Sequence, residues 1–203
     1  MSSPDTGFSR TYIEETTEIL TQLDLGEVER LVAGLAELRT GGGRLFILGV
    51  GGSAGHAGHA VNDFRKICGI EAYAPTDNVS ELTARVNDEG WETSFSEWLR
   101  GSRLGSSDAV LVFSVGGGDR ERNVSTNLVR ALELAQEVSA PVYGIVGRDG
   151  GYTAEVSRAC VRIPPLFGER ITPHTEGLCA VVWHLAVSHP LLCAHRTKWE
   201  SLR

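Results

Sequence analysis

Short apolar runs that pass into glycine-rich turns constrain the fold of this chain more than any other feature of its sequence. The first run, Leu45 to Leu48, leads directly into the turn Gly49 to Ser53. Further runs follow at 109–113, 142–146 and 160–163, and the first two of these also end in glycine-rich turns. Continuous apolar runs of this length are typical of strands that are buried on both faces of a parallel sheet.

Helical patterns separate the apolar runs. They cover 53–68, 124–138 and 174–188. A further helical pattern, from Thr11 to Arg39, lies before the first apolar run. In each, apolar residues recur at steps of three, four and seven. We expect Gly26 to divide the first pattern into two helices. Strands that alternate with helices predict an α/β fold in three layers, with a parallel sheet between helices.

The size and charge of the chain narrow the class of protein. We expect residues 1–40 to form an N-terminal helical arm and 41–203 to form the domain, as one domain overall. A net charge of −7 argues against a nucleic-acid binder, which needs a basic surface. The longest apolar stretch has about 10 residues, whereas a membrane span needs about 20. With no secretory leader at the start of the sequence, we expect a cytoplasmic protein without membrane or nucleic-acid partners.

The first glycine-rich turn has the pattern of an anion site. A strand, then G-x-G-G-S, then a helix brings free backbone N–H groups and the positive end of a helix dipole together. Gly51 and Gly52 allow close approach, and Ser53 can cap the helix and donate its hydroxyl. The turn lacks the last glycine of G-x-G-x-x-G and the lysine of a Walker loop, which disfavours nucleotides. Phosphate binding and a merely tight turn both remain open.

The second glycine-rich turn contains Ser114, Gly116 and Gly117, followed by Arg120 and Arg122. The arginines could clamp an anion, or they could form the solvated tip of a loop. The third turn, 148–151, is expected to be a turn with a local ion pair.

Histidines and carboxylates form a second constellation. His56, His59 and Asp63 fall on one face of the helix after the first turn, and His59 with Asp63 has the i, i+4 spacing of a metal-ligand pair. Such pairs also occur by chance on exposed helices. Glu176 and His184 are eight residues apart, about 12 Å of helical rise, so their spacing alone does not make them a chelating pair. A histidine in an apolar helix also fits a core residue.

The order of these segments resembles the sedoheptulose 7-phosphate isomerases (phosphoheptose isomerases) of the sugar isomerase, or SIS, domain superfamily. The resemblance covers nearly the whole chain and includes the helical arm. The matching residues are 48–54 with His59 and Asp63, Asn87-Asp88, the turn 146–151 and His184 on the last helix.

The family implies a fold, an assembly and a reaction. The fold is a five-stranded parallel sheet flanked by helices, of the flavodoxin or Rossmann-like kind. The assembly is a homotetramer with active sites at subunit contacts, and we expect the apolar N-terminal arm to pack between subunits. The reaction converts a ketose phosphate into an aldose phosphate through an enediol.

Site residues follow from the same resemblance. The family's catalytic glutamate corresponds to Asp63 and its last-helix histidine to His184, and its glutamine position holds Glu176. In some members these positions and a further histidine bind zinc, which makes His59, Asp63, Glu176 and His184 the expected ligands and zinc the expected cofactor. Either Asp63 or Glu176 would be the base. The residues expected to bind the phosphorylated sugar are Gly51, Gly52, Ser53, Asn87, Asp88, Ser114, Gly116, Gly117 and Arg120.

Two alternatives remain. The family's phosphate loop is of the type S-T-S-G-N-S, whereas here Ser114 is followed by glycine and arginine in place of the other hydroxyls. This change favours, as one alternative, the same chemistry on a longer substrate such as an octulose 8-phosphate in secondary metabolism. The other alternative is a non-catalytic SIS module that senses a sugar phosphate.

Overall fold

A parallel five-stranded sheet lies at the centre of the computed structural model, which describes residues 7–202. The expected domain bounds also include residues 1–6 and 203, which lie outside the described residues. The strands are β1 (Leu45–Leu48), β2 (Ala72–Tyr73), β3 (Ala109–Ser114), β4 (Val142–Val146) and β5 (Ala159–Arg162).

The expected strands are confirmed to within one residue. β1 and β4 have the bounds that the apolar runs predict, while β3 ends one residue later and β5 begins and ends one residue earlier. Sequence reasoning from the runs missed β2, because this edge strand has two residues and Tyr73 is exposed. A strand that is open to solvent on one side does not need a continuous apolar run.

The strand order is β2-β1-β3-β4-β5, so the direction of chain winding reverses between β1 and β3. These two strands pair in parallel from Leu45 with Ala109 to Leu48 with Val112. The turns that follow them therefore leave the sheet side by side. In doubly wound sheets such a reversal opens the crevice where ligands bind.

Helices cover both faces of the sheet, which confirms the three-layer prediction. They are α1 (Gly7–Thr21), α2 (Leu25–Thr40), α3 (Gly52–Lys66), α4 (Val79–Glu89), α5 (Ser94–Gly101), α6 (Thr126–Glu137), α7 (Gly151–Val156), α8 (Ile171–Ser188) and α9 (Lys198–Ser201). Alternate β1 residues point to opposite faces: Ile47 packs with α2, α3 and α8, whereas Phe46 packs with α5 and α6. The sheet thus separates two apolar cores.

The break in the N-terminal helical segment differs from the prediction. It lies before Asp24 rather than at Gly26, which is inside α2. The Asp24 side chain accepts a hydrogen bond from the backbone N–H of Glu27 at 3.2 Å and so caps α2. A capping aspartate provides a helix start, whereas one glycine near a helix end costs only about 1 kcal/mol and is tolerated.

The helical patterns missed α4, α5 and α7. No residue of α4 is buried, although Val79, Leu82 and Val86 recur at helical steps of three and four, and α5 and α7 have only eight and six residues. Within residues 7–202, no helix has both the length and the apolar character needed to cross a bilayer.

Candidate active site

The turn after β1 brings the start of α3 to the edge of the sheet. Gly51 has φ +62°, and a Cβ at Gly49 would overlap the backbone carbonyl of Ser53, so both positions require glycine. Gly51 is the N-cap of α3 and makes no side-chain capping bond, which corrects the expectation that Ser53 caps the helix. Ser53 instead lies buried in the first turn. The Ala54 amide donates to the Gly51 carbonyl at 3.0 Å, whereas the Gly52 and Ser53 amides precede the first intrahelical bond.

Three of the expected ligands converge where α3 packs against α8. His59 and Asp63 come from α3, and His184 comes from α8, which packs against α3. The Nε2 atoms of His59 and His184 each lie 3.7 Å from Oδ2 of Asp63. Their ligand atoms all lie within 4.8 Å of one another. Asp63 is buried between two half-exposed imidazoles.

Hydrogen bonds fix the direction in which two of these groups point. The Nδ1 atom of His184 lies 2.7 Å from the carbonyl oxygen of Ala180, and because a carbonyl only accepts, Nδ1 carries the proton. The other ring nitrogen, Nε2, faces Asp63. On the other side, Asn62 donates to Oδ1 of Asp63 at 2.9 Å and leaves Oδ2 directed towards the histidines.

This arrangement fits a metal ion. Separations of 3.7 Å are too long for hydrogen bonds. Two ligand atoms that share one zinc ion at bonds of about 2.0–2.2 Å stand roughly 3.3–3.6 Å apart. Imidazole and carboxylate are suitable zinc ligands, and a histidine ligand commonly donates its other N–H to a backbone carbonyl, as His184 does here.

Glu176 stands apart from the other three expected ligands. Its carboxylate lies against Gly52 at the start of α3, where an added Cβ would come within 3.0 Å of its Oε2. His59, Asp63 and His184 form a group that does not include Glu176 or His56, among the residues that the structure describes. The expected four-ligand set is therefore divided, since eight residues of α8 separate Glu176 from His184.

The second glycine-rich turn is held by α7. Ser114 Oγ accepts a hydrogen bond from the backbone N–H of Gly117 at 3.0 Å. The Gly117 carbonyl in turn accepts from the backbone N–H and the hydroxyl of Thr153, at 3.0 and 2.7 Å. The Gly117 amide is thus already used within the chain. Gly116 lies beside Arg148, whose Cδ is 3.9 Å from the position of a Cβ at this glycine.

Most of the charged residues near this turn have partners in the chain. Arg120 donates to the hydroxyl of Tyr152 at 2.9 Å, stacks over its ring at 3.9 Å and pairs with Glu133 at 3.1 Å. The Arg120 guanidinium is therefore paired within the chain, whereas the sequence led us to expect that it could bind an anion. The expected ion pair within 148–151 is not found in the described region, where Asp149 accepts from the Gly151 amide instead.

Asn87 and Asp88 lie in the last turn of α4, where both are exposed. Asn87 donates to Oδ1 of Asp88 at 2.7 Å. For residues 7–202, neither makes a hydrogen bond or ion pair with the group of His59, Asp63 and His184. Their expected role in substrate binding stays a prediction.

Sequence reasoning missed a polar side chain in the first turn of α6. Asn127 is fully buried, and its Nδ2 has no hydrogen-bond partner in the part of the chain that the structure describes. The helix cap before it, Ser125, has φ +53° and makes no side-chain capping bond. A buried amide nitrogen without a partner needs one from elsewhere.

A buried charged cluster anchors the start of α8 to α1. Glu15 accepts hydrogen bonds from Arg170 at 2.6 and 2.8 Å and lies 2.9 Å from Nε2 of His174. The hydrogen bonds from Arg170, and then from His174, lower the pKa of Glu15 to about 2. This contact could not be predicted from the sequence, because α1 and α8 are far apart along the chain.

Comparisons with known proteins agree on one family. No protein-family model matches the chain. The chain is 35% identical over 163 residues to the phosphoheptose isomerase of Rhodospirillum rubrum. This match covers 78% of this chain and 77% of that protein. It is 31% identical over 204 residues to the lincomycin biosynthesis protein LmbN of Streptomyces lincolnensis, covering 90% of this chain and 70% of that protein.

Solved structures show the same fold. The phosphoheptose isomerase GmhA of Neisseria gonorrhoeae superposes with a TM-score of 0.76 at 21% identity, over 89% of this chain and 96% of that one. The Francisella tularensis phosphoheptose isomerase gives a TM-score of 0.75 at 18% identity, over 92% and 97%. With this SIS fold and the identity to the Rhodospirillum rubrum enzyme, the chain belongs to the phosphoheptose isomerase family.

Proposed function

We propose that this protein is an aldose–ketose isomerase that converts sedoheptulose 7-phosphate into a heptose 7-phosphate through an enediol. The observation that carries the proposal is the convergence of His59, Asp63 and His184 between α3 and α8. Membership of the phosphoheptose isomerase family supports it. A module that only sensed a sugar phosphate would need the glycine-rich turns, but it would not need this polar group.

The reaction requires a base, an acid and stabilisation of negative charge. A proton leaves carbon 1 of the ketose and a proton is delivered to carbon 2, while a proton moves between the two oxygens. We assign the base to Asp63, because its Oδ2 is directed into the convergence point while Oδ1 is held by Asn62. His184 holds or moves the oxygen-bound proton at Nε2. Glu176, at the Gly52 side, is the alternative base.

The donor set also fits zinc, and we propose zinc as the cofactor. With zinc bound, His59 and His184 would hold it through Nε2 and Asp63 through Oδ2. The metal would then occupy these atoms, so Glu176 would act as the base and His184 as a ligand rather than as an acid. When bound, zinc supplies Lewis-acid polarisation of the substrate carbonyl. The protein holds three donor atoms together, two from imidazoles and one from a carboxylate, and this combination suits a dication.

The phosphate end of the substrate has two candidate seats at the same edge of the sheet. One is the first turn of α3, where Gly52 and Ser53 offer backbone N–H groups. The other is the first turn of α6, where the buried Nδ2 of Asn127 lacks a partner among residues 7–202. Ser114 lies in the turn between them. Both seats combine a helix N-terminus with a polar side chain.

The assignment of the base is tested by Asp63→Asn and Glu176→Gln. We expect Asp63→Asn to lower kcat for aldose formation by about a hundredfold or more, as general-base removal does. Glu176→Gln restores the residue type of the family and should keep kcat within about tenfold of the wild type. The reverse pattern would move the base to Glu176. We call His59, Asp63 and His184 the convergent group. Full activity in both variants would show that the convergent group takes no part in the mechanism.

A longer substrate, an octulose 8-phosphate, is the second candidate. In place of a serine-rich phosphate loop, residues 114–125 form a longer loop that contains an antiparallel bridge between Asp119 and Val124. The Asp119 amide donates to the Val124 carbonyl at 2.9 Å, and the Val124 amide donates to the Asp119 carbonyl at 3.1 Å. A different loop at this edge changes the space for the sugar phosphate. One similar protein is also named for lincomycin biosynthesis rather than for heptose isomerisation.

We further propose that the enzyme is a homotetramer in the cytoplasm. Large apolar side chains on α1 and α8 are open to solvent in the single chain: Phe8 is 70% exposed, Ile13 63% and Val181 45%. Apolar residues that are grouped on outer helices favour contact with another subunit.

A further inference from the structure

Trp183 is a large buried side chain beside the convergent group, and the reaction does not use it. It lies on α8 directly before His184 and is 0% exposed. Its Nε1 has no hydrogen-bond partner in the described region. A phenylalanine or leucine would fill an apolar core without burying an unpaired N–H, so packing alone does not explain a tryptophan here.

The indole contacts both imidazoles of the group. Its ring stacks on His184 with a centroid distance of 3.5 Å and an angle of 29°. The His59 ring meets it edge-on at 4.8 Å and 73°. Adjacent residues on a helix do not normally face each other, so the stacking on His184 is a particular arrangement. It accompanies the hydrogen bond from Nδ1 of His184 to the Ala180 carbonyl, one turn earlier.

A fixed surface matters because the histidines themselves are open to solvent. The side chain of His59 is 57% exposed and that of His184 is 48% exposed. Exposed side chains exchange between rotamers unless a neighbour restricts them. His59 comes from α3 and His184 from α8, and the indole is a rigid group that contacts rings from both helices.

We propose that Trp183 is a positioning residue: its indole holds the ring of His59 and keeps His184 in the rotamer in which Nδ1 reaches the Ala180 carbonyl, so that both Nε2 atoms point at Asp63. The proposal rests on the proposed function for its use in catalysis, but the ring geometry can be tested without turnover. It predicts that removing the indole frees the imidazole rings of His59 and His184 to rotate, while the three residues of the group themselves are unchanged.

The test compares Trp183→Leu and Trp183→Phe with Trp98→Leu as a matched control. Trp98 is also a buried tryptophan, at 8% exposure, but it packs in the core on the opposite face of the sheet. The first readout is the tautomer of His184 by ¹⁵N NMR at pH 8 without metal. The second is the dissociation constant for Zn²⁺ added to metal-free protein.

In the wild type we expect the Nδ1-protonated tautomer of His184 to dominate. Trp183→Leu should give a mixture of tautomers and weaken Zn²⁺ binding by about tenfold or more, the usual effect of losing a group that orients a ligand. Trp183→Phe should recover most of both properties, and Trp98→Leu should change only the melting temperature. If Trp183→Leu does not fold, Trp183→Met takes its place.

A folded Trp183→Leu or Trp183→Met variant with the wild-type tautomer and Zn²⁺ affinity would overturn the proposal, and so would equal effects in Trp98→Leu. If the wild type neither binds Zn²⁺ nor isomerises a ketose phosphate, the proposed function fails, and the tautomer comparison alone then decides the role of Trp183.

Discussion

At the scale of single residues, local spacing predicts part of the site and tertiary packing supplies the rest. The i, i+4 spacing of His59 and Asp63 was visible in the sequence, and the two side chains do meet. His184 joins them only because α8 packs on α3. Spacing within α8 correctly argued against a close pair of Glu176 and His184. Asn127 and the contact between Glu15 and His174 could not be predicted, because each depends on burial by distant segments.

The role of His184 is tested by His184→Ala. If this histidine moves a proton or holds the metal, kcat should fall by about a hundredfold or more, while binding of the phosphosugar persists at the glycine-rich turns. His56→Ala is the control, since His56 lies on the same helix as His59 but outside the convergent group of the described residues. A folded His184→Ala variant with unchanged kcat and a lower melting temperature would assign the histidine to packing.

At the scale of secondary-structure elements, burial decides what the sequence reveals. Strands buried on both faces leave continuous apolar runs, and β1, β3, β4 and β5 were therefore predicted to within one residue. β2 is a two-residue edge strand with an exposed tyrosine, so it leaves no such run. The glycine pattern located the turns of the site. It could not show that the second turn is hydrogen-bonded to α7, because the turn follows β3 whereas α7 follows β4.

The contact between the second turn and α7 makes Gly117→Ala strongly destabilising. Gly117 has φ +72°, and a Cβ there would overlap the Gly150 carbonyl oxygen. We expect the free energy of unfolding in urea to fall by about 3 kcal/mol or more. Gly105→Ala is the control, because Gly105 has open space around it and should change stability by no more than about 1 kcal/mol. Equal effects of the two substitutions would contradict the close contact.

The contact between α1 and α8 makes stability depend on Glu15 at acidic pH. Its folded-state pKa of about 2 lies below the ordinary value of 4.5, so its contribution is complete above about pH 4.5 and is lost as the pH falls towards 2. The wild type should therefore be more stable than Glu15→Gln at neutral pH, with a difference that shrinks over this range. Glu14→Gln, at an exposed neighbouring position, is the control. A difference that stays constant from pH 6 to pH 2 would contradict the ion pair.

At the scale of the whole molecule, the sheet separates two cores, and the direction of chain winding reverses between β1 and β3. The polar group lies where α3 packs against α8. The three-layer architecture was predictable, because alternating strands and helices allow few arrangements. Assembly was inferred from the family resemblance and from the apolar helical arm. The exposed Phe8 and Ile13 on α1 are consistent with that inference.

Light scattering at micromolar concentration measures the assembly. We expect a particle of four times the chain mass of 21.9 kDa. Replacing Phe8 and Ile13 together by serine should shift the protein towards smaller species, because the exposed apolar area on α1 decreases. A wild-type monomer at this concentration would contradict the tetramer.

The central claim is that the convergent group isomerises a ketose phosphate through an enediol. The most direct measurement incubates the protein in D₂O with sedoheptulose 7-phosphate, and separately with an eight-carbon ketose 8-phosphate, and follows the aldose product by NMR. We predict formation of the aldose with deuterium at carbon 2, because the proton that Asp63 removes exchanges with solvent before a proton is returned. The faster substrate identifies the chain length, and Asp63→Asn should slow both product formation and exchange by about a hundredfold or more. No aldose from either substrate, or an aldose without deuterium, would contradict the account.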